Sequence, residues 1–168
     1  MLVRMLNMNK WDHDCIKQRK LYHGDAISDL KCSHNTLSVW QANNQEEIKE
    51  AVLALALGRD TIQKMTVVIL DENTICNKYH IVIKETKGDV PITKLQDRHR
   101  DLVDIDFWNL GFIAEHIGDQ LNDCTNYMIF TKGDIQKLVM TAIDSEDDLI
   151  NKINPKLRND LKLPSNGI

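Results

Sequence analysis

The sequence predicts an α+β fold: a mixed or mainly antiparallel central sheet of about five to six strands with helices packed around it. One observation is the aliphatic run Met65–Leu70, of strand length and free of charge, which suits a strand buried on both faces. A second is the alternation of Leu37 and Val39 with polar neighbours, and of Tyr79, Ile81 and Ile83 with His80, Val82 and Lys84, the period of a half-buried strand. The third is a set of apolar stripes at helical spacing, such as Ile48, Ala51, Val52 and Leu55, or Leu110, Ile113, Ala114, Ile117 and Leu121.

Residues 1–11 read as a short edge strand or a loosely ordered end. A helical turn within Asp12–Lys20 leads into a short strand, Lys20–Gly24, which the glycine breaks, and a loop follows from Asp25 to Asn35. After the strand Thr36–Trp40, Asn44 N-caps a helix with Glu47 three residues on, and Gly58 ends it. Its last two turns are apolar nearly all round, so it packs on more than one side. Asp71–Asn77 is a loop between the strands Met65–Leu70 and Lys78–Lys84, and Lys87–Pro91 is a turn. From Thr93 to Asn122 the pattern reads as helical, weakened at Gly111 and Gly118. A strand at Asn126–Phe130 precedes a helix over Asp134–Ile143 that buries Ile135, Leu138, Val139 and Ala142. Ser145 and Asp148 start a last acidic helix, Pro155 interrupts it, and residues 163–168 form a polar, loosely ordered tail.

A chain of 168 residues with 42% hydrophobic and 27% charged side chains is expected to be one soluble globular domain, 1–168. The net charge of -4 and the scatter of Lys and Arg leave a polyanion-binding face unsupported. The apolar run Ala51–Leu57 is too short to span a membrane and no signal-peptide core follows Met1, so no membrane partner and a cytoplasmic location are expected. Cys15, Cys32, Cys76 and Cys124 are dispersed, as expected of reduced, mostly buried thiols.

Among motifs, His99-Arg100-Asp101-Leu102 matches the start of a protein-kinase catalytic loop, but position 106 is Asp rather than Asn and no glycine-rich loop precedes it. The segment therefore reads as a charged helix surface. His13 with Cys15 and Cys32 with His34 are zinc-type ligands, yet each pair leaves a single residue between ligands where structural zinc usually needs two to four. No metal site is expected. Arg98, His99 and Arg100 beside Lys94 are the only support for nucleic-acid modification.

Leu21-Tyr22-His23-Gly24, followed by an aromatic-bearing strand, a capped apolar helix, an aliphatic strand and the late strand Tyr127-Met128-Ile129-Phe130, resembles the bacterial ADP-ribosyltransferase-like domains in element order. The resemblance spans Lys20 to Ile143, with a motif-level match at Leu21–Gly24. It implies a cleft for NAD, with His23 bonding the ribose hydroxyls, Gly24 letting its backbone meet the carboxamide, Trp40 or Val39 as the stacking group, and Tyr22 and Tyr127 beside them. It also implies transfer of ADP-ribose to a macromolecular acceptor in bacterial or phage conflict. Breaking the nicotinamide–ribose bond develops an oxocarbenium-like charge that a carboxylate stabilises. Where the family has its late-strand glutamate, this chain has the neutral Asn126, which weakens the expectation of catalysis; Asp123 or Glu115 are the substitutes. The competing expectation is a non-enzymatic protein-binding module of the antitoxin, immunity or phage-accessory kind, engaging one partner through acidic clusters at Asp101–Asp106 and Asp144–Asp148.

Overall fold

The computed structural model describes residues 1–12, 16, 24–30, 34–146 and 148–163. Strands β1 (Leu2–Leu6), β2 (Leu37–Gln41), β3 (Met65–Leu70), β4 (Val82–Glu85), β5 (His99–Val103) and β6 (Tyr127–Phe130) form one sheet in the order β4-β5-β2-β1-β3-β6. Every neighbouring pair is antiparallel. Among the described residues the helices with given bounds are α1 (Gly24–Asp29), α2 (Gln45–Leu57), α3 (Thr93–Gln96), α4 (Phe107–Leu121), α5 (Lys132–Ser145), α6 (Leu149–Lys152) and α7 (Pro155–Asp160). The α+β expectation holds, with the sheet wholly antiparallel. Among the described residues no helix is long and apolar enough to cross a membrane.

Alternation along the strands divides the apolar side chains between two cores. Val3, Trp40, Met65, Val67 and Phe130 meet α2, α5, α6 and α7 on one face. Leu2, Leu6, Leu37, Val39, Val68, Leu70 and Leu102 meet Trp11, Ala26, Ile75 and the inner side of α4 on the other. A sheet covered on both faces explains why β3 reads as an unbroken apolar run: both sides of it are inside.

Several expectations are corrected. The N-terminal segment is no edge or loose end, because β1 lies between β2 and β3 with Leu2 and Val3 fully buried. The expected loop after Gly24 contains α1, whose Ala26 is buried in the second core. The helical reading of residues 93–122 holds for α3 and α4 but is broken between them, since His99–Val103 is a strand paired on both sides, with His99 opposite Trp40 and Leu102 opposite Leu37. Only Leu102 of that strand is buried, so its sequence lacks the alternation by which strands are read, and tertiary pairing decides its state. The strand expected from Lys78 begins at Val82, because a π turn occupies Thr74–Lys78 and His80 adopts φ 56°. Pro155 opens α7 at its first turn, where its missing N–H costs nothing. Of the four thiols expected to be mostly buried, Cys124 is exposed and Cys76 half-buried, while Cys15 and Cys32 lie outside the described residues.

Candidate functional site

Of the residues expected to bind NAD, Tyr22 and His23 lie outside the described residues. Gly24 is the first residue of α1. Trp40 is 6% exposed in the first core, edge-on to His99 at 5.1 Å between ring centres. A Cβ on Gly88 would lie 2.6 Å from the Trp40 ring, so the glycine lets the backbone press against the indole. No ring face is left for a ligand to stack on. Tyr127 pairs with Val68 and packs against the second core, on the other side of the sheet. β1 and β3 stand between β2 and β6, a separation of roughly 14 Å at the usual strand spacing. Asn126 accepts the Ile69 N–H at 2.8 Å through its carbonyl, a backbone role, and Asp123 is turned to the Thr125 N–H and hydroxyl at 2.9 and 2.8 Å. The sheet therefore separates Trp40 from Tyr127 and leaves neither Asn126 nor Asp123 beside Trp40.

The basic residues considered for nucleic acid are engaged within the protein. Arg98 meets Glu47 at 2.6 Å and Glu50 at 3.1 Å, Lys94 meets Glu50 at 3.6 Å, and Arg100 meets Glu85 at 3.2 Å. His99 shares a 2.8 Å hydrogen bond with the Thr86 hydroxyl, and burial lowers its pKa. His13, Cys15 and Cys32 lie outside the described residues, and among the described ones no group of His, Cys, Asp and Glu is placed to hold a metal.

A different surface stands out on α4. Asp106 caps this helix by accepting the Asn109 N–H at 2.7 Å, while the Asn109 side chain accepts the Asp106 N–H at 3.1 Å. The apolar stripe sets which side of the helix faces the sheet: Ile113, Ile117 and Leu121 turn inward and are fully buried. The same rotation sends Trp108 and Phe112, one turn apart, to the outside. Phe107 is 78% exposed, Trp108 71% and Phe112 41%, with Phe107 and Trp108 edge-on at 6.0 Å. Single exposed hydrophobes are ordinary, but three large aromatics exposed together on one helix are not.

The patch has a rigid foundation. Phe112 stacks on Tyr79 at 5.3 Å with the rings 4° from parallel, and Tyr79 meets His116 edge-on at 6.1 Å. Lys78 Nζ sits 5.0 Å from the Tyr79 ring centre. His116 is buried, and its Nε2 accepts the Asp71 N–H at 3.2 Å, which requires the neutral ring. Burial is the main cause that lowers its pKa, with Asp71 and Asp119 pulling the other way. Asp71 in turn accepts the Thr74 N–H at 2.9 Å and hydroxyl at 2.7 Å, which ties the π turn below Tyr79 to the end of β3; these bonds hold the Asp71 carboxyl below its usual range.

No family model matches this chain, and neither a curated protein nor a solved structure does. The surface is thus read from its own chemistry. The sequence carries a partial signal of the patch, since helical spacing places Trp108 and Phe112 opposite the stripe of Ile113 and Ile117, but only the folded chain shows that the rings stay exposed.

Proposed function

We propose that this chain is a non-enzymatic protein-binding module whose partner docks on the outer face of α4. The observation that supports the reading is the exposure of Phe107 and Trp108 side by side, 78% and 71%, on a helix pinned from below by the Phe112–Tyr79–His116 stack. Burying one such ring is worth roughly 1.5–3 kcal/mol, and aromatic residues in this setting are the usual anchors of an interface. A preorganised helix face adds little ordering cost on binding.

The test is photo-crosslinking in the cells that produce the chain, with a benzophenone side chain at position 108 and, as control, at the exposed Gln45 of α2. A discrete adduct from position 108, lost when Phe107 and Phe112 are both changed to Ser and not seen from position 45, is the expected result. Equal labelling from both positions removes the reading.

The ADP-ribosyltransferase-like reading has its support in Leu21–Gly24. Calorimetric titration with NAD addresses it directly. No heat is expected on the present proposal; binding that disappears in His23→Ala would favour NAD instead.

A further inference from the structure

We infer that a cleft at the exit of β1 is a binding site for a small phosphomonoester, held by Arg59 and Lys64. Among the described residues no part of α4 lines it, and it stands independently of the docking face.

The topology brings two cations to this place. β1 and β3 are antiparallel, with Leu6 opposite Thr66, so residues 7–9, which leave β1, and residues 63–65, which enter β3, meet at the same end of the sheet. The link from α2 to β3 is only residues 58–64, and both Arg59 and Lys64 lie in it. These segments, with Met5 and Ile129, line a cleft of about 570 Å³. That lies within the roughly 300–1,000 Å³ of small-molecule sites.

The two cations are left unanswered by the chain. Arg59 is half-buried, and a guanidinium carries five N–H donors. Among the described residues the only hydrogen bond of its side chain runs from Nη1 to the Met5 sulfur at 2.8 Å, and a thioether is a weak acceptor. The exposed Lys64 Nζ has neither a hydrogen bond nor an ion pair among them.

The acids nearby are committed elsewhere. Asp60, next to Arg59 in the chain, is bonded by Lys156 at 2.8 Å and Asn154 at 2.7 Å. Asp160 accepts the Ile62 N–H at 2.9 Å and faces Lys132 at 3.7 Å. Asp29, which accepts the Asn7 N–H at 2.9 Å, also accepts the Trp11 indole N–H at 2.8 Å. Among the described residues no Asp or Glu lines the cleft, so one Arg and one Lys give it a charge of +2 in a chain of net charge -4. Two like charges lining one cleft repel, which folding alone does not reward. A bound anion reverses the sign of that contribution.

A phosphate ester suits the pair best. At neutral pH a phosphomonoester carries about -1.5 to -2 of charge, which answers both cations. The guanidinium fork takes two of its oxygens and the Lys64 ammonium, a point charge, takes the third. A carboxylate brings a single charge and leaves one cation unanswered. The side-chain amides of Asn9 and Gln63 stand in the same lining, and Met5, Met8 and the exposed Ile129 offer an apolar side to the body of the ligand. NAD is not of this class, because its two phosphates are linked to each other and carry one charge each.

The test is calorimetric titration of the full chain with phenyl phosphate, with benzoate and inorganic phosphate as comparisons. Phenyl phosphate should bind saturably and about tenfold or more tighter than benzoate, and inorganic phosphate should compete with it. Arg59→Gln and Lys64→Gln should each weaken phenyl phosphate by about tenfold, while Trp108→Ala leaves it unchanged. Urea midpoints show whether each variant is folded, and Lys64→Gln, at an exposed position, keeps the test open should Arg59→Gln unfold the chain. A folded Lys64→Gln or Arg59→Gln that binds phenyl phosphate as the parent does places the ligand elsewhere and overturns the site. Benzoate binding as tightly as phenyl phosphate overturns the phosphate assignment. No heat from any of the three anions at about 10 mM overturns the inference as a whole.

Discussion

The helices α2 and α4 pack on opposite faces of the same sheet, and their outer sides are built in contrary ways. On α2 the outward charges are answered within the molecule: Glu46 by Lys49 at 2.8 Å, Glu47 by Arg98 at 2.6 Å, Glu50 by Arg98 and Lys94. On α4 the outward residues of the first turns are the rings Phe107, Trp108 and Phe112, open to solvent. Both helices have well-made amino caps and fully buried inner stripes. The difference therefore lies in what each leaves to be satisfied. The α2 surface is complete in the folded chain, while the α4 surface keeps apolar area that water does not reward.

The inner faces of α2 and α4 should be alike in what they contribute. Ile48→Ala on α2 and Ile117→Ala on α4 should each cost about 2–5 kcal/mol in urea denaturation, because both side chains are fully buried. A loss below about 1 kcal/mol at either site would mean that this helix does not pack as described. The caps come next. Asn44→Ala and Asp106→Ala should each cost about 1 kcal/mol, since each side chain accepts an N–H in the first turn, at 3.0 and 2.7 Å. A neutral result for Asp106→Ala would mean that the cap does not hold the first turn of α4.

A gentler effect distinguishes the α4 side through its buried histidine. His116 has its pKa lowered by burial in the folded chain, whereas the unfolded chain takes up a proton near the ordinary value of 6.5. The unfolded state therefore binds more protons as pH falls. Stability is whole above about pH 6.5 and declines as pH drops below it toward the folded pKa. His99, lowered by burial as well, contributes with the same sign. Denaturation midpoints between about pH 7.5 and 5.5 should show this slope, and His116→Gln should reduce it. An identical slope in the variant would put the titration elsewhere.

The smallest effect sharpens the contrast most. Trp108→Ala should change stability by no more than about 0.5 kcal/mol, since the ring packs mainly on Phe107 and solvent. A cost of several kcal/mol would make Trp108 part of the core and remove the main support for a docking face.

Much of the architecture was legible along the chain because burial leaves a period. The run Met65–Leu70 and the stripe Ile113, Ile117 and Leu121 declare themselves through contacts that repeat every two or 3.6 residues. The Asn44 cap is equally local, its side chain reaching an N–H three residues on. His99–Val103 was illegible for the complementary reason. Its backbone is held by β2 and β4, and its charged side chains find Glu85, Gln41 and Ser38 across strands, so nothing in its own composition marks a strand. The candidate NAD set fared as it did because register along one chain does not say which face of a sheet a residue meets. Trp40 and Tyr127 look like neighbours in element order, and strand pairing sends them to opposite cores.

By itself, then, the sequence determined the α+β class, the strand β3, the capped helix α2 and the inward side of α4, all from periodicities that local geometry imposes. Only the tertiary structure decided that β1 is central, that residues 99–103 pair as a strand, that Arg98 and Arg100 are spoken for by acids, and that Trp108 and Phe107 remain uncovered. Pairing partners and solvent exposure depend on elements far apart in the chain, and no local pattern encodes them.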